Sequence, residues 1–159
     1  MAKILLMRGR TRRRATTVVE TAVVLPALLL VLFGALEYGW MFVKAQEVTS
    51  IARRAARLAS LPDSTNSSVQ NAVITLLDKH RINKGGQVKI AQSTSDGAEQ
   101  PVNLVDLAPG AAFTVTVTVD YGAASTPGGQ SLALNLFGLP VPDQLKGSVT
   151  MAREGVRPE

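Results

Sequence analysis

The fold of this chain is decided by the stretch from Arg12 to Leu36, which reads RRRATTVVETAVVLPALLLVLFGAL. From Thr16 to Leu36 it contains 21 residues, and the only charged side chain among them is that of Glu20. At about 1.5 Å per residue, a helix of this length spans about 31 Å, which matches a hydrocarbon core of about 30 Å. Pro26 removes one backbone donor and predicts a bend, which transmembrane helices tolerate. The stretch therefore predicts a helix that spans a membrane.

Glu20 is the residue of this stretch that most needs an explanation. A carboxylate near the centre of a membrane helix costs about 2.5–3.5 kcal/mol on insertion scales. One interpretation is an interfacial carboxylate, because Glu20 lies only about 9 Å along the helix from Arg14 and can reach the lipid headgroups. The other interpretation is a role in processing and packing. The residues alone leave both open.

The positive charge of the chain is concentrated at its N-terminus. Residues 1–14 carry six basic residues and no acidic one, whereas the remainder carries 11 basic and 12 acidic residues. Because the basic cluster directly precedes the apolar run, it predicts a cytoplasmic N-terminus and an extracytoplasmic C-terminal part, and nucleic acid is not predicted as a partner. Three aromatic residues lie where the helix should leave the acyl region, as an interface belt would: Tyr38, Trp40 and Phe42. A secretory signal peptide is the competing interpretation, but the apolar run is long for one and no convincing small-x-small cleavage pair follows it.

The predicted helix continues beyond the membrane as an amphipathic segment. Apolar residues recur at helical spacing, while polar and basic residues take the opposite face. The apolar set is Val48, Ile51, Ala52, Ala55, Leu58 and Ala59, and the polar set is Ser50, Arg53, Arg54 and Arg57. One helix from about Thr16 to about Leu61 is predicted, ended by Pro62 and Asp63.

Residues 62–159 predict a small extracytoplasmic unit. A second helix is expected after Ser67 as its N-cap, with Gln70 completing a capping box, and Lys84-Gly85-Gly86 ends it. Alternating apolar residues predict strands at 87–93, 113–119 and 145–152, and the stretches 94–109 and 123–142 are predicted as loops, with 132–136 as a strand or a helical turn. The predicted fold class is α+β, a lollipop in which a long N-terminal helix, transmembrane and then amphipathic, packs on a small antiparallel sheet with one further helix.

No pattern in the sequence predicts catalysis, a cofactor or a metal site. The chain has no cysteine, which excludes disulfides and thiolate ligands. His80 is the only histidine, and a metal site needs several ligands, so it is interpreted as a packing or surface residue. No serine or threonine has a base placed to make it a recognisable nucleophile. An enzyme is therefore not predicted.

The N-terminal third resembles the TadE-like family, the pseudopilins of the tight-adherence pilus machinery. The resemblance covers about residues 8–60 and rests on the basic leader, on TVVETAVVLPALLL at 17–30, on LEYG at 36–39 and on IARRAAR at 51–57. A basic leader, a small residue and a glutamate at the fifth position of an apolar helix also look like a type IV prepilin cleavage signal. The fold that the resemblance implies is pilin-like.

The resemblance implies a role for three residues near the start of the helix. A prepilin peptidase that recognises Glu20 would cleave between Ala15 and Thr16, with alanine standing where the family usually has glycine. Glu20 would then pair with the new amino terminus of Thr16 on a neighbouring subunit, and two opposite charges in a low dielectric relieve each other's desolvation. The chain is accordingly divided into a leader at 1–15, a helix at 16–61 and the outer unit at 62–159.

The resulting hypothesis is a minor pseudopilin, a single-pass protein of the bacterial cytoplasmic (inner) membrane that acts in assembling a tight-adherence pilus or a related secretion apparatus. Its expected partners are the prepilin peptidase, other pseudopilins, pilus assembly platform proteins and membrane lipid. Three further positions of the membrane helix are candidates: Pro26 for a bend, Gly34 for close helix approach, and Glu37 as an interfacial or packing carboxylate. The alternative is an unprocessed signal-anchor protein whose extracytoplasmic module binds a partner.

Overall fold

The computed structural model of the protein describes residues 8–82, 86–93, 99–122, 132–134 and 138–155, and within these ranges it describes all side chains except those of 8–17 and 93. Within these ranges, two helices and four strands follow one another: α1 (Arg8–Ser60), α2 (Asn66–Lys79), β1 (Gln87–Ser93), β2 (Glu99–Pro101), β3 (Ala112–Asp120) and β4 (Gln144–Ala152). A short 3₁₀ turn, Leu104–Asp106, lies between β2 and β3. The predicted α+β class is confirmed.

Helix α1 is a single helix of 53 residues. It begins at Arg8, inside the predicted leader, and it continues through Pro26 without interruption. It ends at Ser60, one residue before the predicted end, because Pro62 and Asp63 form the turn that follows. The bend predicted at Pro26 stays a prediction.

The chain divides into two compact units, and α1 contributes to both. The first unit comprises Met1–Gly39 with Asn135–Leu139, and the second comprises Trp40–Leu134 with Pro140–Glu159. The first contains the apolar part of α1. The second contains the amphipathic part of α1 together with α2 and the sheet.

The sheet of the second unit is antiparallel throughout, with the strand order β2-β1-β3-β4. Strand β3 lies in the interior and pairs with β4 over nine successive positions, from Ala112 opposite Ala152 to Asp120 opposite Gln144. Predicted strand 87–93 is confirmed as β1, and β3 and β4 begin one residue before their predicted starts. Alternation of side chains therefore located the three long strands correctly.

The core lies between one face of this sheet and the two helices. From α1 it takes Val48, Ile51, Ala52, Ala55, Ala56 and Ala59; from α2, Val69, Val73 and Leu77; from the sheet, Ile90, Phe113, Val115, Val117, Val119 and Leu145. The predicted apolar stripe of α1 is confirmed, except that Leu58 is only half-buried and Ala56 takes part. Small residues on α1 let the helix approach the sheet closely.

Helix α2 begins and ends at other residues than the sequence predicted. Its N-cap is Thr65, whose hydroxyl accepts from the Ser68 amide at 3.2 Å while the Ser68 hydroxyl accepts from the Thr65 amide at 3.1 Å. The predicted Ser67–Gln70 capping box is wrong by two residues. Tertiary contacts decide the position, because Asn66 at the first turn binds the 102–104 segment through Val102 O and the Leu104 amide.

The C-terminus of α2 lies at Lys79, before the predicted Lys84-Gly85-Gly86 end. Arg81 takes a left-handed conformation with φ 54°, and its amide donates to Asp78 O at 3.0 Å. The Ile82 amide donates to Leu77 O at 3.0 Å, which completes a Schellman-type ending without glycine. The reversal places the Ile82 side chain in the core, and this burial offsets the cost of the left-handed residue.

In two segments that were predicted as irregular, the structure differs from the prediction. The predicted loop 94–109 includes β2. All three residues of β2 are exposed, so the sequence lacks the alternation of apolar and polar side chains that would predict a strand there. In the apolar patch at 132–136, residues 132 and 133 form a bend and residue 134 is irregular, and the others lie outside the described residues.

Candidate membrane and assembly helix

The first part of the candidate site is the apolar segment of α1. Every described side chain from Val18 to Leu32 is exposed, including Val23 at 72% of its full accessible area. A helix that is apolar on all sides requires an apolar environment around it. One described helix is long and apolar enough to cross a membrane, with a mean hydropathy of 2.3 in its most apolar window, and no residue of that window is buried within the protein. This exposure separates it from the core helix of a soluble protein.

Glu20 lies in this exposed segment. The backbone is helical at Ala15, Thr16 and Glu20, so Thr16 precedes Glu20 by four residues, about one helical turn. The side chains of Ala15 and Thr16 are outside the described set, whereas that of Glu20 is exposed. The helix therefore leaves the Glu20 carboxylate accessible to another molecule.

The other three positions that were predicted in the membrane helix differ in how exposed they are. Pro26 is exposed within the helix. A Cβ placed on Gly34 would lie 3.8 Å from Leu139 Cδ1, an ordinary van der Waals distance, so this contact does not require glycine. Glu37, which was predicted as an interfacial or a packing carboxylate, is fully buried. Hydropathy alone does not predict that an acidic side chain at this position is buried.

Trp40 fixes the start of the amphipathic part of α1 within the second unit. Its indole Nε1 donates to the carbonyl oxygen of Leu132 at 3.0 Å. Lys44 Nζ lies 4.9 Å from the centre of the Trp40 ring and 2.9 Å from Glu47 Oε2. The Leu132 amide donates in turn to Tyr121 O at 3.2 Å, which connects this cluster to the end of β3. The sequence predicted Trp40 only as part of an aromatic belt.

Arg153 makes several buried hydrogen bonds that the sequence analysis did not predict. It follows β4, is buried, and donates from Nη1 to Ala59 O at 2.9 Å and from Nη2 to Pro62 O and, at 3.4 Å, to Ser64 O. These carbonyls belong to the last turn of α1 and the turn after it, which the helix itself leaves without donors. A guanidinium suits this place because its fork can donate to several carbonyls at once. No local pattern marks Arg153, because its partners lie about 90 positions earlier in the chain.

Two further sequence predictions concern polar residues outside the membrane segment. Arg53, Arg54 and Arg57 are exposed, as their helical face predicted. His80 is half-buried at the C-cap of α2. Within the described ranges, no group of three or more acidic or histidine side chains is placed to hold a metal ion.

The family comparison agrees with the resemblance found in the sequence. A family model described as TadE-like protein matches residues 15–57, which confirms that resemblance. The match begins at Ala15 and ends at Arg57, so it lies wholly within α1 and covers less than a third of the chain. No curated protein and no solved structure matches the chain significantly.

Proposed function

We propose that this protein is a TadE-like minor pseudopilin that acts in assembling a tight-adherence pilus or a related secretion apparatus. The single observation that carries the proposal is the match over residues 15–57, which starts at the residue before the expected cut. The exposed apolar segment of α1 supports it, because that segment provides a membrane anchor and a surface for neighbouring helices. The leader stays in the cytoplasm and the second unit lies outside the cytoplasmic membrane, as the basic residues at 8–14 favour.

Processing is the first step of the proposed mechanism. A prepilin peptidase cleaves between Ala15 and Thr16 and leaves a free amino group on Thr16. Recognition depends on the Glu20 carboxylate, which is exposed about one helical turn beyond the cut. Before cleavage the basic leader holds this end of the helix at the cytoplasmic surface.

Packing is the second step. Removal of the leader takes away its basic residues and brings the Thr16 amine to the membrane boundary. The amine of one subunit then pairs with Glu20 of its neighbour, and each charge lowers the desolvation cost of the other. Exposed valines and leucines on either side of Glu20 supply the surrounding contact between helices. Other pseudopilins and platform proteins of the assembly machinery are the partners that this surface fits.

The test is the mass of the mature polypeptide. The full chain is expressed with and without an active prepilin peptidase, purified from membranes and measured by intact mass spectrometry. We expect the peptidase to remove residues 1–15 and to leave Thr16 at the front. Glu20→Gln should abolish the cut, whereas Glu47→Gln, which alters a carboxylate paired with Lys44 far along the helix, should be cut like the wild type.

A chain that keeps Met1 or Ala2 beside an active peptidase, in cells where a known substrate is cut, would count against processing. The unprocessed signal-anchor alternative predicts in addition that Glu20→Ala leaves both membrane localisation and complex formation unchanged. Because the chain has no cysteine, a single cysteine at Val24 would report helix–helix contact by cross-linking without background.

A further inference from the structure

The last turn of the apolar segment of α1 is covered by protein on one side. From Val18 to Leu32 every side chain is exposed, but Phe33 and Gly34 are half-buried and Glu37 is fully buried. Phe33 and Gly34 precede Glu37 by four and three residues, so all three lie on one face of the helix. Cover from elsewhere in the chain therefore begins before the apolar segment ends at Leu36.

Leu139 supplies part of this cover. A Cβ placed on Gly34 would lie 3.8 Å from Leu139 Cδ1, so the leucine side chain rests against the helix at that point. Gly138 and Leu139 belong to the same compact unit as the apolar part of α1. Leu139 is itself only half-buried, so part of its side chain stays open to the surroundings. The chain therefore returns to the apolar segment of α1 after β3 and contacts it through a leucine.

The position of Gly34 along α1 gives the level of this contact. Gly34 precedes Leu36, the end of the predicted membrane segment, by two residues, which is about 3 Å at 1.5 Å per residue. Leu36 is still 52% exposed, so the apolar surroundings that the helix requires extend outward past Gly34. Leu139 therefore contacts α1 at a level where α1 itself needs an apolar medium.

The composition of the segment that carries Leu139 suits the same medium. Between Asp120 and Asp143 the sequence has 22 successive residues without a charged side chain, and five of them are leucine or phenylalanine. No other uncharged stretch within residues 62–159 is as long. Charged side chains oppose entry into lipid, whereas leucine and phenylalanine favour it. The segment therefore has no charged group that would hold it in water.

The backbone beside Leu139 limits how deep this segment can lie. Gly138 has φ 61°, a left-handed conformation that is typical of tight turns, and Pro140 and Pro142 have no N–H to donate. An irregular segment cannot cross the hydrocarbon, because its backbone polar groups need partners there. These features suit a shallow turn, in which a side chain enters the leaflet while the backbone stays near the lipid headgroups.

Lipid accounts for the open part of Leu139 without any further component. A stable protein interface buries about 800 Å² per partner, which is far more than the remaining surface of one half-buried leucine. The segment also lacks the charged side chains that select a specific protein partner. Acyl chains make no such demand, because their contact with leucine is non-directional, and they are present wherever α1 spans a bilayer.

We propose that the turn at Gly138 and Leu139 is a second membrane contact of this protein, in which Leu139 inserts among the lipid acyl chains of the outer leaflet beside Gly34. The contact sets the depth of α1. Sliding outward would withdraw Leu139 from lipid, and sliding inward would carry irregular backbone into the hydrocarbon. The inference rests on the membrane anchoring by α1 in the proposed function and is independent of whether the leader is cleaved.

The test measures which medium surrounds position 139 in the full chain, reconstituted in nanodiscs of phosphatidylcholine and phosphatidylglycerol. Because the chain has no cysteine, Leu139→Cys, Leu36→Cys, Val31→Cys and Val105→Cys each carry a single nitroxide label. Val31 and Val105 are matched references, since both are valines and their exposed fractions are 70% and 69%. Val31 lies in the apolar segment of α1, and Val105 lies in the 3₁₀ turn beside Asp106.

Power saturation gives the collision rates of each label with oxygen, which concentrates in the apolar phase, and with a polar nickel chelate, which stays in water. The ratio of the two rates reports the medium, because partial burial of the label lowers both. We expect the ratio at Leu139→Cys to exceed that at Val105→Cys by roughly threefold or more and to approach that at Leu36→Cys, which lies at nearly the same level of α1.

A second measurement leaves Leu139 unchanged. In the wild-type chain with carbon-13-labelled leucine methyl groups, a nitroxide near the headgroup end of the acyl chain should broaden the Leu139 signals, whereas a water-soluble gadolinium chelate should leave them sharp. Leu104, which is fully buried in the second unit, is the internal control that neither reagent should reach.

Three results would overturn the inference alone. The first is equal ratios at Leu139→Cys and Val105→Cys while Val31→Cys stays high, because α1 would then span the bilayer with Leu139 in water. The second is sharp Leu139 signals beside the lipid nitroxide, which decides the matter even if Leu139→Cys fails to fold. The third is low collision rates with both reagents, because protein would then cover the leucine. A low ratio at Val31→Cys would instead contradict the membrane anchor itself, and with it the proposed function.

Discussion

Two segments of the same helix meet their surroundings in opposite ways. From Val18 to Leu32 every side chain of α1 is exposed and nearly every one is apolar, whereas from Val48 to Ala59 one face is buried against the sheet and the other carries arginines. The second segment has its partner within the chain. The first has none among the described residues, and a helix that is apolar on all sides requires an apolar environment around it. The difference teaches that one helix can lie in two environments when it is apolar on all sides in one segment and amphipathic in the next.

The largest expected difference comes from truncating one apolar side chain in each segment. Ile51→Ala should lower the free energy of unfolding by about 2–5 kcal/mol, because it leaves a cavity in the core. Val24→Ala should change it by less than about 0.5 kcal/mol, because Val24 is exposed. Urea unfolding of the full chain in detergent, followed by the fluorescence of Trp40, the only tryptophan, measures both. Equal losses would show that the two segments do not differ as described.

Arg153 should contribute much of the stability at the C-terminal end of α1. Arg153→Ala should lower the free energy of unfolding by about 1–3 kcal/mol, because the carbonyls of Ala59 and Pro62 lose their donor. Arg153→Lys should be intermediate, since one ammonium group cannot reproduce the guanidinium fork. The control is Arg57→Ala on the exposed face, where a change within about 0.5 kcal/mol is expected. Similar losses in the two alanine variants would contradict the role given to Arg153.

A methyl group added to two glycines should have effects of opposite sign. Gly147→Ala should lower the free energy of unfolding by about 1–3 kcal/mol, because its Cβ would lie 3.0 Å from the α1 backbone. Gly39→Ala places its Cβ in open space within a helix and should raise stability by about 0.5–1 kcal/mol. Thermal unfolding followed by circular dichroism compares them. Stabilisation by Gly147→Ala would mean that α1 does not press on β4.

The smallest expected effect belongs to Trp40, where the second unit begins along the helix. Trp40→Phe removes the bond to Leu132 O and should lower the free energy of unfolding by about 0.5–1.5 kcal/mol. Phe42→Leu, on an exposed position two residues later, should stay within about 0.5 kcal/mol. Circular dichroism in urea serves here because the fluorescent reporter is lost. If the two variants behave alike, the indole bond does not contribute to stability.

The periodic features of the fold could be predicted because they repeat along the chain. The alternation of Phe113, Val115 and Val117 defined β3, and the helical spacing of Val48 to Ala59 defined the buried face of α1. The capping box of α2 was placed two residues late, because contacts of Asn66 with a segment 36 or more positions away decide where the helix starts. Local propensity carries no information about such contacts.

The candidate site was predictable in part for the same reason. The TadE-like match confirms the resemblance in the helix, where residue types and spacing are both local. The burial of Glu37 and the carbonyl contacts of Arg153 were not predictable, because both depend on which distant residues fold against them. The roles of Ala15, Thr16 and Glu20 stay predictions that the mass measurement decides.

The anchoring of α1 by Arg153 sets an order of events during synthesis. Arg153 follows Ala59 by 94 positions, so the ribosome releases the whole of α1 well before the residue that completes its last turn. The apolar segment can enter the bilayer at once, while the face from Val48 to Ala59 waits uncovered for the strands. Contacts between such distant positions form slowly. The nascent protein therefore passes through an intermediate in which the apolar segment of α1 is already in the bilayer. The apolar face of the other segment is still exposed in this intermediate and must be kept from non-native contacts.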